Sequence, residues 1–319
     1  MRIIRGLQSY PPDAPPSVVA LGIFDGIHLA HQRILDLATG RAQSLGASAV
    51  ACTFDPHPLQ VLRPGQAPEP ITTLGERLEL IAGRGIDATV VIPFTLEFSR
   101  VEPEAFVEDV LLGTLKAREI VVGYNHTFGR GARGDARLLQ TLAAQRGFVA
   151  HVIPPLAVGG TPVSSSAIRE ALRSGDVAAV RRLLGRPLSL HGVVVRGAGR
   201  GRQLGFPTAN IRPDRPLLLA AGVYAGYAEI AGGREEAGGR SSPDPGSAHK
   251  CVVNVGYRPT FGEDQYWIEA YLIDFSGDLY ERSIRVSLVE RIRGERKFPD
   301  VDALVKQIRS DVETAAGIL

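Results

Sequence analysis

Two histidines, His28 and His31, follow a strand-like run and a glycine-containing turn near the start of the 319-residue chain. On a helix, a spacing of three puts both imidazoles on one face. Gly22 and Gly26 let the backbone approach a ligand closely, and a helix N-terminus offers free N–H groups to phosphate. The turn therefore predicts a triphosphate cradle in which the histidines stabilise charge on the attacked phosphorus. A surface pair or a metal pair is the alternative, and no third metal ligand with suitable spacing follows.

Three further polar runs follow predicted strands. Thr-Phe-Asp-Pro-His-Pro has prolines that end a strand and expose Asp55. Val-Gly-Tyr-Asn-His-Thr-Phe-Gly contains Asn125, and Ser-Ser-Ser-Ala-Ile-Arg places Ser165 and Ser166 at a helix start. Arg169 falls in the first turn of that helix, where it suits a leaving pyrophosphate. Taken singly, these runs also fit an ordinary strand exit, a solvated loop and a serine N-cap.

A glycine-rich segment in the second half predicts a different phosphate site. Gly197, Gly199 and Gly205 free backbone N–H groups to wrap phosphates, while Thr208 and Asn210 can point oxygens at one Mg²⁺ from extended backbone. An RNA-binding Arg-Gly segment is the competing interpretation. It is disfavoured because the run has few arginines, no interleaved aromatic residue and an ordered-looking Phe-Pro-Thr-Ala-Asn end. The chain has no Gly-Lys pair, which excludes a Walker phosphate loop.

Charged residues in the last strands are further candidates. Glu269 stands in an otherwise apolar strand, where a carboxylate is costly unless it has a polar or functional partner. A place on the solvent face of the strand is the alternative. Arg291 and Arg293 begin an Arg-Ile-Arg-Gly-Glu run that also fits an ordinary exposed basic loop.

Up to residue 186, short apolar runs alternate with stretches of helical spacing. This alternation predicts a doubly wound parallel sheet, a Rossmann-like α/β fold whose ligand sites lie beyond the carboxyl ends of the strands. The predicted strands are 18–21, 49–54, 89–92, 120–122 and 149–153, and the predicted helices are 29–44, 74–82, 103–112 and 135–146.

After Gly185-Arg186-Pro187 the pattern changes to strand-like segments separated by Gly, Pro and Asp. We expect a small antiparallel β-barrel with a closing helix from about Asp300, and a floppy hairpin loop over 232–247. The domains are therefore predicted to be 1–186 and 187–319. The predicted barrel strands are 188–195, 222–230, 250–255, 267–275 and 283–289.

Composition narrows the class of protein. The chain is 44% hydrophobic and 22% charged, which is ordinary for a globular protein, and its formal charge of +2 does not indicate a dedicated nucleic-acid binder. Two cysteines cannot form a disulfide framework. No apolar run approaches the roughly 18 residues that suggest a membrane span. We expect a cytoplasmic protein with no nucleic-acid or membrane partner, and leave open whether it forms an oligomer.

Together, the quoted motifs resemble the prokaryotic bifunctional riboflavin kinase/FMN adenylyltransferase (FAD synthetase) family over the whole chain. The resemblance implies that Glu269 is the catalytic base of the kinase and that the Arg291–Phe298 loop covers the flavin ring. It also implies that Thr208 and Asn210 belong to the riboflavin kinase signature. The residues implied to contact ATP or flavin in the first domain are Phe24, His28, His31, Asp55, Asn125, Phe128, Ser165, Ser166 and Arg169.

The resemblance implies two ATP-dependent reactions, both needing Mg²⁺. Domain 187–319 would convert riboflavin to FMN, and domain 1–186 would join FMN to AMP, releasing pyrophosphate; FMN and FAD are then products and not prosthetic groups. Three residues depart from the family pattern: Ile23, Ala30 and Ser166 stand where Asn, Gly and Thr are usual. The alternative is therefore a riboflavin kinase whose first domain binds FMN but is impaired in adenylyl transfer.

Overall fold

The chain folds into two compact units, Met1–Ser165 and Ser166–Leu319. The computed structural model describes residues 1–197, 199–230, 248–260 and 263–319. The predicted hairpin loop at 232–247 lies outside the described residues. The unit boundary comes before the predicted domain boundary at residue 186, which stays a prediction about the segment that each activity needs.

The first unit is built on a parallel sheet. Its strands are β1 (Arg2–Arg5), β2 (Ser17–Leu21), β3 (Ser48–Asp55), β4 (Ala88–Pro93), β5 (Ala117–Gly123) and β6 (Val149–Ile153). They lie in the order β1-β4-β3-β2-β5-β6, and each neighbouring pair is parallel. The predicted strands are confirmed. The edge strand β1 was not predicted, because only Ile4 of its four residues is buried and the apolar signal is correspondingly short.

Both faces of this sheet are covered, as the continuous apolar strands require. On β2, Val19 and Leu21 pack into one hydrophobic cluster, whereas Val18 and Ala20 pack into the other. The doubly wound fold predicted for this unit is therefore confirmed. Its helices are α1 (Leu29–Leu45), α2 (Pro58–Leu62), α3 (Leu74–Ala82), α4 (Pro103–Ala105) continuing as a π-helix over Phe106–Thr114, and α5 (Ala136–Arg146). Short 3-10 turns occupy Leu7–Ser9, Phe98–Arg100 and Arg130–Ala132, and β7 (Ala157–Val158) pairs with β8 (Thr161–Pro162).

The second unit contains a closed antiparallel barrel, as predicted. Helices α6 (Ser165–Ser174) and α7 (Val177–Leu184) precede it, α8 (Arg200–Gln203) interrupts it, and α9 (Val301–Ile318) follows it. The barrel strands are β9 (Leu188–Val195), β10 (Ala209–Pro213), β11 (Gly222–Ile230), β12 (Ala248–Thr260), β13 (Glu263–Leu272) and β14 (Ser283–Arg293), closed in the order β10-β13-β12-β11-β14-β9. The Asp300 side chain caps α9 by accepting a hydrogen bond from Ala303 N at 2.7 Å. No helix among the described residues is long and apolar enough to cross a membrane.

A buried ion-pair cluster ties α1 to β5 and β6. Glu119 is 3% exposed, and its Oε2 and Oε1 accept hydrogen bonds from Arg41 Nε at 2.8 Å and Arg41 Nη2 at 2.6 Å. His151 Nε2 lies 2.6 Å from the same Oε2. Hydrogen bonding to Arg41 lowers the pKa of Glu119 to about 2. Because the folded-state pKa lies below the unfolded value, the stabilisation is present above about pH 4.5 and is lost as the pH falls toward 2.

We predict that Glu119→Gln lowers the free energy of unfolding of this unit by about 2 to 3 kcal/mol at pH 7. The deficit should shrink as the pH approaches 2, because the wild-type carboxylate then becomes protonated. Urea unfolding monitored through hydrogen exchange at the β5 amides measures this difference in the free energy of unfolding. Glu97→Gln is the control, because Glu97 is exposed. Equal loss in both variants, or a loss independent of pH, would contradict this account.

Candidate active sites

The turn between β2 and α1 is held by Asp25. Its carboxylate accepts hydrogen bonds from Ile71 N at 3.0 Å and from Thr72 N at 3.1 Å. Gly26 has a φ of 80°, and a Cβ there would lie 3.0 Å from Ile71, so this position requires glycine. A Cβ on Gly22 would meet the ring of Phe24 at 3.0 Å. The turn predicted to cradle phosphate is therefore a closely packed backbone segment anchored to the start of α3.

His28 and His31 lie together, although not in the way the spacing predicts. His28 is in extended backbone before α1 and caps it, with Nδ1 accepting a hydrogen bond from His31 N at 3.3 Å. The two rings stack with centroids 3.6 Å apart and an interplanar angle of 15°. The helix begins at Leu29, as predicted, so His28 is its cap and the two rings meet across the cap and the first turn, not from two positions within the helix.

Three buried nitrogen atoms of this unit have no hydrogen-bond partner among the residues that the structure describes: His31 Nδ1, His126 Nε2 and Arg77 Nε. Burial lowers the pKa of His31 well below its usual value, and the nearby His28, Arg77 and His126 lower it further. Burial lowers the pKa of His126 to about 4. Such nitrogens are costly unless they gain partners. An anionic oxygen supplies both an acceptor and a compensating charge, so the cluster fits a phosphate group.

Arg77 was not identified from the sequence, because it stands on α3, far along the chain from the histidines. Its side chain is 7% exposed, and Nη1 donates to the carbonyl of Ile23 at 2.7 Å. Thr53 Oγ1 also donates to that carbonyl, at 3.0 Å. Ile23 therefore contributes to the turn through its backbone, while its side chain packs on the core. Arg77 Nη2 also lies 3.9 Å from Asp55 Oδ1 at the end of β3.

A row of aromatic rings follows the ends of β3, β4 and β5. Neighbouring centroids are 5.9 to 6.1 Å apart along the sequence of contacts Phe54, Phe94, Phe98, Phe106 and Phe128. Phe54 and Phe128, at the two ends of the row, are buried, as is Phe106, whereas Phe94 and Phe98 are half-buried. Asn125 is exposed in the loop before Phe128. Sequence reasoning missed the rest of this row because its members come from separate elements of the chain: β3, the segment after β4, a 3-10 turn and the π-helix.

The predicted serine–arginine segment forms the start of α6. Ser165 Oγ donates to the backbone carbonyl of Asp25 at 3.1 Å. Ser166 and Arg169 belong to the second compact unit, and Arg169 is 7% exposed. Their contacts with nucleotide stay a prediction.

The barrel carries a cavity of about 720 Å³ on its outer face. Alternation along β13 explains the placement of the predicted base: Ile268 and Ala270 point into the barrel core, whereas Glu269 and Tyr271 line the cavity. Most of the remaining lining comes from the glycine segment and α8, from β10 and β12, from residues 293–298 and from α9. Glu269 is half-buried in this wall, so its carboxylate is partly shielded from solvent.

Three neighbouring strands place polar side chains in one row across the cavity wall. Asn210 on β10 and Asn254 on β12 are the register partners of Glu269 on either side. All three line the cavity. Side chains directly opposite in such pairs have Cβ atoms about 4.5 to 5.5 Å apart. Trp267 Nε1 donates a hydrogen bond to Glu269 Oε1 at 2.8 Å.

The glycine segment packs directly on the predicted Mg²⁺ ligands. A Cβ on Gly197 would lie 2.2 Å from Asn210 Nδ2, and a Cβ on Gly201 would lie 3.1 Å from Thr208 Oγ1. Gly199 and Gly205 have φ values of 68° and 84°. Hydroxyl and amide oxygens suit Mg²⁺, which takes few protein ligands and uses substrate phosphates for others. Among the described residues, no group of three or more His, Cys, Asp or Glu could hold a metal ion.

For the riboflavin kinase that the family resemblance implies, we predict that Gly197→Ala lowers kcat/KM for ATP at least tenfold, because the added methyl group displaces the Asn210 amide. FAD formation from FMN should not change. Steady-state kinetics of both reactions provides the measurement. Gly317→Ala is the control, since a Cβ at that position meets nothing within 4 Å. Wild-type kinase kinetics in Gly197→Ala would show that this contact does not matter.

The two predicted flavin-contacting arginines on β14 separate in the structure. Arg293 lines the cavity and forms a buried ion pair with Asp311 of α9, with Nη2 2.8 Å from Oδ2. Its guanidinium lies 5.7 Å from the centroid of the Phe298 ring. Arg291 instead donates to the carbonyls of Ser174 at 3.1 Å and Ala221 at 2.8 Å, and it is not among the cavity-lining residues. Its predicted flavin contact is therefore not brought to this cavity.

Comparison with known proteins gives matches over the whole chain. Residues 10–167 match the family model for FAD synthetase, and residues 184–319 match that for riboflavin kinase. An Escherichia coli (strain K12) protein named bifunctional riboflavin kinase/FMN adenylyltransferase is 34% identical over 99% of this chain and 97% of its own. A Bacillus subtilis (strain 168) protein of the same name is 34% identical over 94% of this chain and 91% of its own.

A crystal structure from Streptococcus pneumoniae, described as a macrolide-efflux protein, shares the fold. It superposes with a TM-score of 0.87 at 29% identity and covers 99% of both chains. The flavin-enzyme family models and the curated relatives agree with one another on the function of this architecture.

Proposed function

The chain belongs to the bifunctional riboflavin kinase/FMN adenylyltransferase family, and from that membership we propose which residues perform each of its two reactions. The enzyme phosphorylates riboflavin to FMN with ATP, and it joins FMN to the AMP part of ATP to give FAD and pyrophosphate. The riboflavin kinase match covers the barrel, and the FAD synthetase match covers the parallel-sheet unit. We propose 1–186 and 187–319 as the segments that carry the two activities.

In the barrel, Glu269 is the general base. The ribityl 5′-hydroxyl is a poor nucleophile, so a positioned carboxylate must accept its proton as the oxygen attacks the γ-phosphorus of ATP. The half-buried place of Glu269 in the cavity wall is the observation that carries this assignment. Thr208 and Asn210 would hold Mg²⁺, which would neutralise phosphate charge when bound. Gly197, Gly199 and Gly205 present backbone N–H groups to those phosphates.

The riboflavin ring lies in the cavity beneath α9. The segment 293–298 and the apolar residues Leu304 and Val312 line this part of the cavity, which suits a flat aromatic ligand. Arg293 is held there by Asp311 and stacks beside Phe298. We assign the flavin contact to Arg293, and a supporting role to Arg291 through its backbone carbonyl partners.

For the reaction proposed for segment 1–186, no dedicated base is needed because the attacking FMN phosphate is already anionic. His28 and His31 stabilise charge on the α-phosphate of ATP, with Gly22, Phe24 and Gly26 shaping the cradle. Asp55, Asn125 and Phe128 contact the flavin, and the aromatic row extends this surface. Ser165, Ser166 and Arg169 bind the leaving pyrophosphate. The buried unpartnered nitrogens near His31 support this assignment.

The stoichiometry of nucleotide products tests the assignment of reactions. The full-length enzyme given riboflavin and ATP should form one ADP per riboflavin consumed and one pyrophosphate per FAD formed. With FMN as the flavin, pyrophosphate should appear without ADP. ADP formed in proportion to FAD from FMN would overturn the assignment.

The family departures Ile23 and Ala30 do not favour an impaired adenylyltransferase. Ile23 acts through its carbonyl, which any residue supplies. Ala30 is half-buried in the first turn of α1, where glycine would cost helix stability.

We predict that Ala30→Gly changes kcat for FAD formation from FMN by less than about threefold. Chromatography of the products measures the rate of FAD formation, with Ala38→Gly on the same helix as the comparison. A large gain in this rate for Ala30→Gly would indicate that the wild-type chain is impaired in adenylyl transfer.

We also propose that the enzyme works in the cytoplasm with riboflavin, FMN and ATP as its small-molecule partners, and without nucleic acid or membrane. Cys52 and Cys251 are both free and buried, which suits a reducing compartment. Burial raises the pKa of each thiol to about 12, so neither is poised to react.

A further inference from the structure

We propose that Trp267 is a positioning residue for riboflavin phosphorylation, because its indole N–H holds one carboxylate oxygen of Glu269 and turns the other toward the substrate hydroxyl. Trp267 acts through Glu269, so its role rests on Glu269 being the base. The family match assigns the reaction and does not assign this residue.

The contact is direct and well formed. Trp267 Nε1 lies 2.8 Å from Glu269 Oε1, and both side chains are half-buried. Residues two apart on a strand point to the same face, so β13 itself brings the indole beside the carboxylate. A hydrogen bond to an ionised acceptor is stronger than one between neutral groups.

The strand that carries this pair is firmly fixed. Ile268, between the two residues, is fully buried in the barrel core, as is Ala270 after them. On β12, the register partner of Trp267 is Gly256, so the residue directly opposite the indole carries no side chain of its own. The nearest side-chain atom to a Cβ built on Gly256 is Glu295 Oε1, at 3.0 Å. The position of the indole is therefore set by the barrel and not by the substrate.

Orientation matters because the terminal torsion of a glutamate side chain is soft. Rotation about χ3 of a glutamate is only weakly restricted, so the plane of its carboxylate takes many orientations. Most of these orientations do not direct an oxygen lone pair at the substrate hydroxyl. With Oε1 held by the indole, Oε2 is the oxygen that accepts the proton from the substrate. As the 5′-oxygen bonds to the γ-phosphorus, its O–H bond breaks, the bond to the ADP oxygen breaks, and the proton goes to Oε2.

Trp267 is the only tryptophan of the chain, so replacing tryptophan by an analogue changes this one residue. Expression in a tryptophan auxotroph supplied with 3-benzothienylalanine replaces the indole N–H with sulfur at this one position and keeps the ring shape. Incorporation of 4-fluorotryptophan, which retains the N–H, is the matched control. The full-length protein also contains its own folding control, because FAD formation from FMN uses the other active site.

We expect the sulfur analogue to lower the kinase kcat about tenfold, with KM for riboflavin and ATP and the rate of FAD formation unchanged. The fluorinated protein should match wild type. The role of Trp267 would be overturned if the sulfur analogue kept a kinase kcat within twofold of wild type and Glu269→Gln still showed its expected loss of kinase activity. Full kinase activity in Glu269→Gln would instead overturn the base assignment, and the role of Trp267 with it.

A spectroscopic measurement tests the contact independently of activity. The single indole N–H gives one cross-peak in a spectrum of ¹⁵N-tryptophan-labelled protein. Glu269→Gln replaces a charged acceptor with a neutral amide, so the peak should move upfield. An unmoved peak would show that the indole does not donate to Glu269 in solution.

Discussion

Glu269→Gln is expected to lower kcat for riboflavin phosphorylation by about 10³-fold, while FAD formation from FMN remains at the wild-type rate. Glutamine keeps the size of the side chain and can occupy the same place between Asn210 and Asn254, but it cannot accept a proton at neutral pH. Because the loss comes from proton transfer, KM for ATP should change little. Initial rates with riboflavin and with FMN measure both activities in one preparation.

Glu290→Gln is the matched control for this variant. Glu290 is an exposed carboxylate on β14, another barrel strand, and its substitution should leave both reactions unchanged. Retention of more than about one tenth of the wild-type kinase kcat in Glu269→Gln would contradict the assignment of the base, because a positioned base contributes at least about 10²-fold.

His31→Gln is expected to lower kcat for FAD formation from FMN by about 10²-fold and to leave the kinase unchanged. The His31 ring stacks on His28, and its Nδ1 is buried without a partner among the described residues. A triphosphate brings negative charge to this site, which favours a protonated or donating imidazole at the moment of attack. Glutamine keeps a polar group of similar length but cannot carry the charge.

His151→Gln provides the comparison for the histidine variant. His151 lies on β6 of the same unit and contacts Glu119, an interaction that an amide can also make. Its substitution should leave FAD formation within about twofold of wild type. If His31→Gln and His151→Gln lowered FAD formation equally, the loss would reflect stability of the unit and not charge stabilisation at phosphorus.

The sequence predicted the elements that depend on local burial. The run Val18–Leu21 is apolar because both faces of its strand are covered, and the α1 pattern ends at Gly46, where the chain adopts a left-handed conformation. β10 was not predicted as a strand: it has five residues and follows directly on the glycine segment, so its alternation is too brief to stand out.

Residues brought in from distant elements escaped sequence reasoning. Arg77 reaches the β2 turn from α3, and His126 joins His31 from the loop after β5. Nothing in the local sequence around either residue indicates a partner so far along the chain. The different places of Arg291 and Arg293 could not be predicted either, because they depend on pairing between strands. A register shift in the pairing of β11 with β14 falls between these two residues, and only Arg293 lines the cavity.

The central claim is that two separate sites act in turn on a flavin that is released between them. Mixing two variants, each impaired in one of the two reactions, tests this claim most directly. Alone, Glu269→Gln should make FMN from riboflavin and ATP about 10³-fold more slowly than wild type. His31→Gln alone should accumulate FMN and convert it to FAD about 10²-fold more slowly. In an equimolar mixture, FMN made by one variant diffuses to the other, so chromatography should show FAD after a lag. A mixture that forms no FAD, although each variant keeps its one predicted activity, would contradict this account.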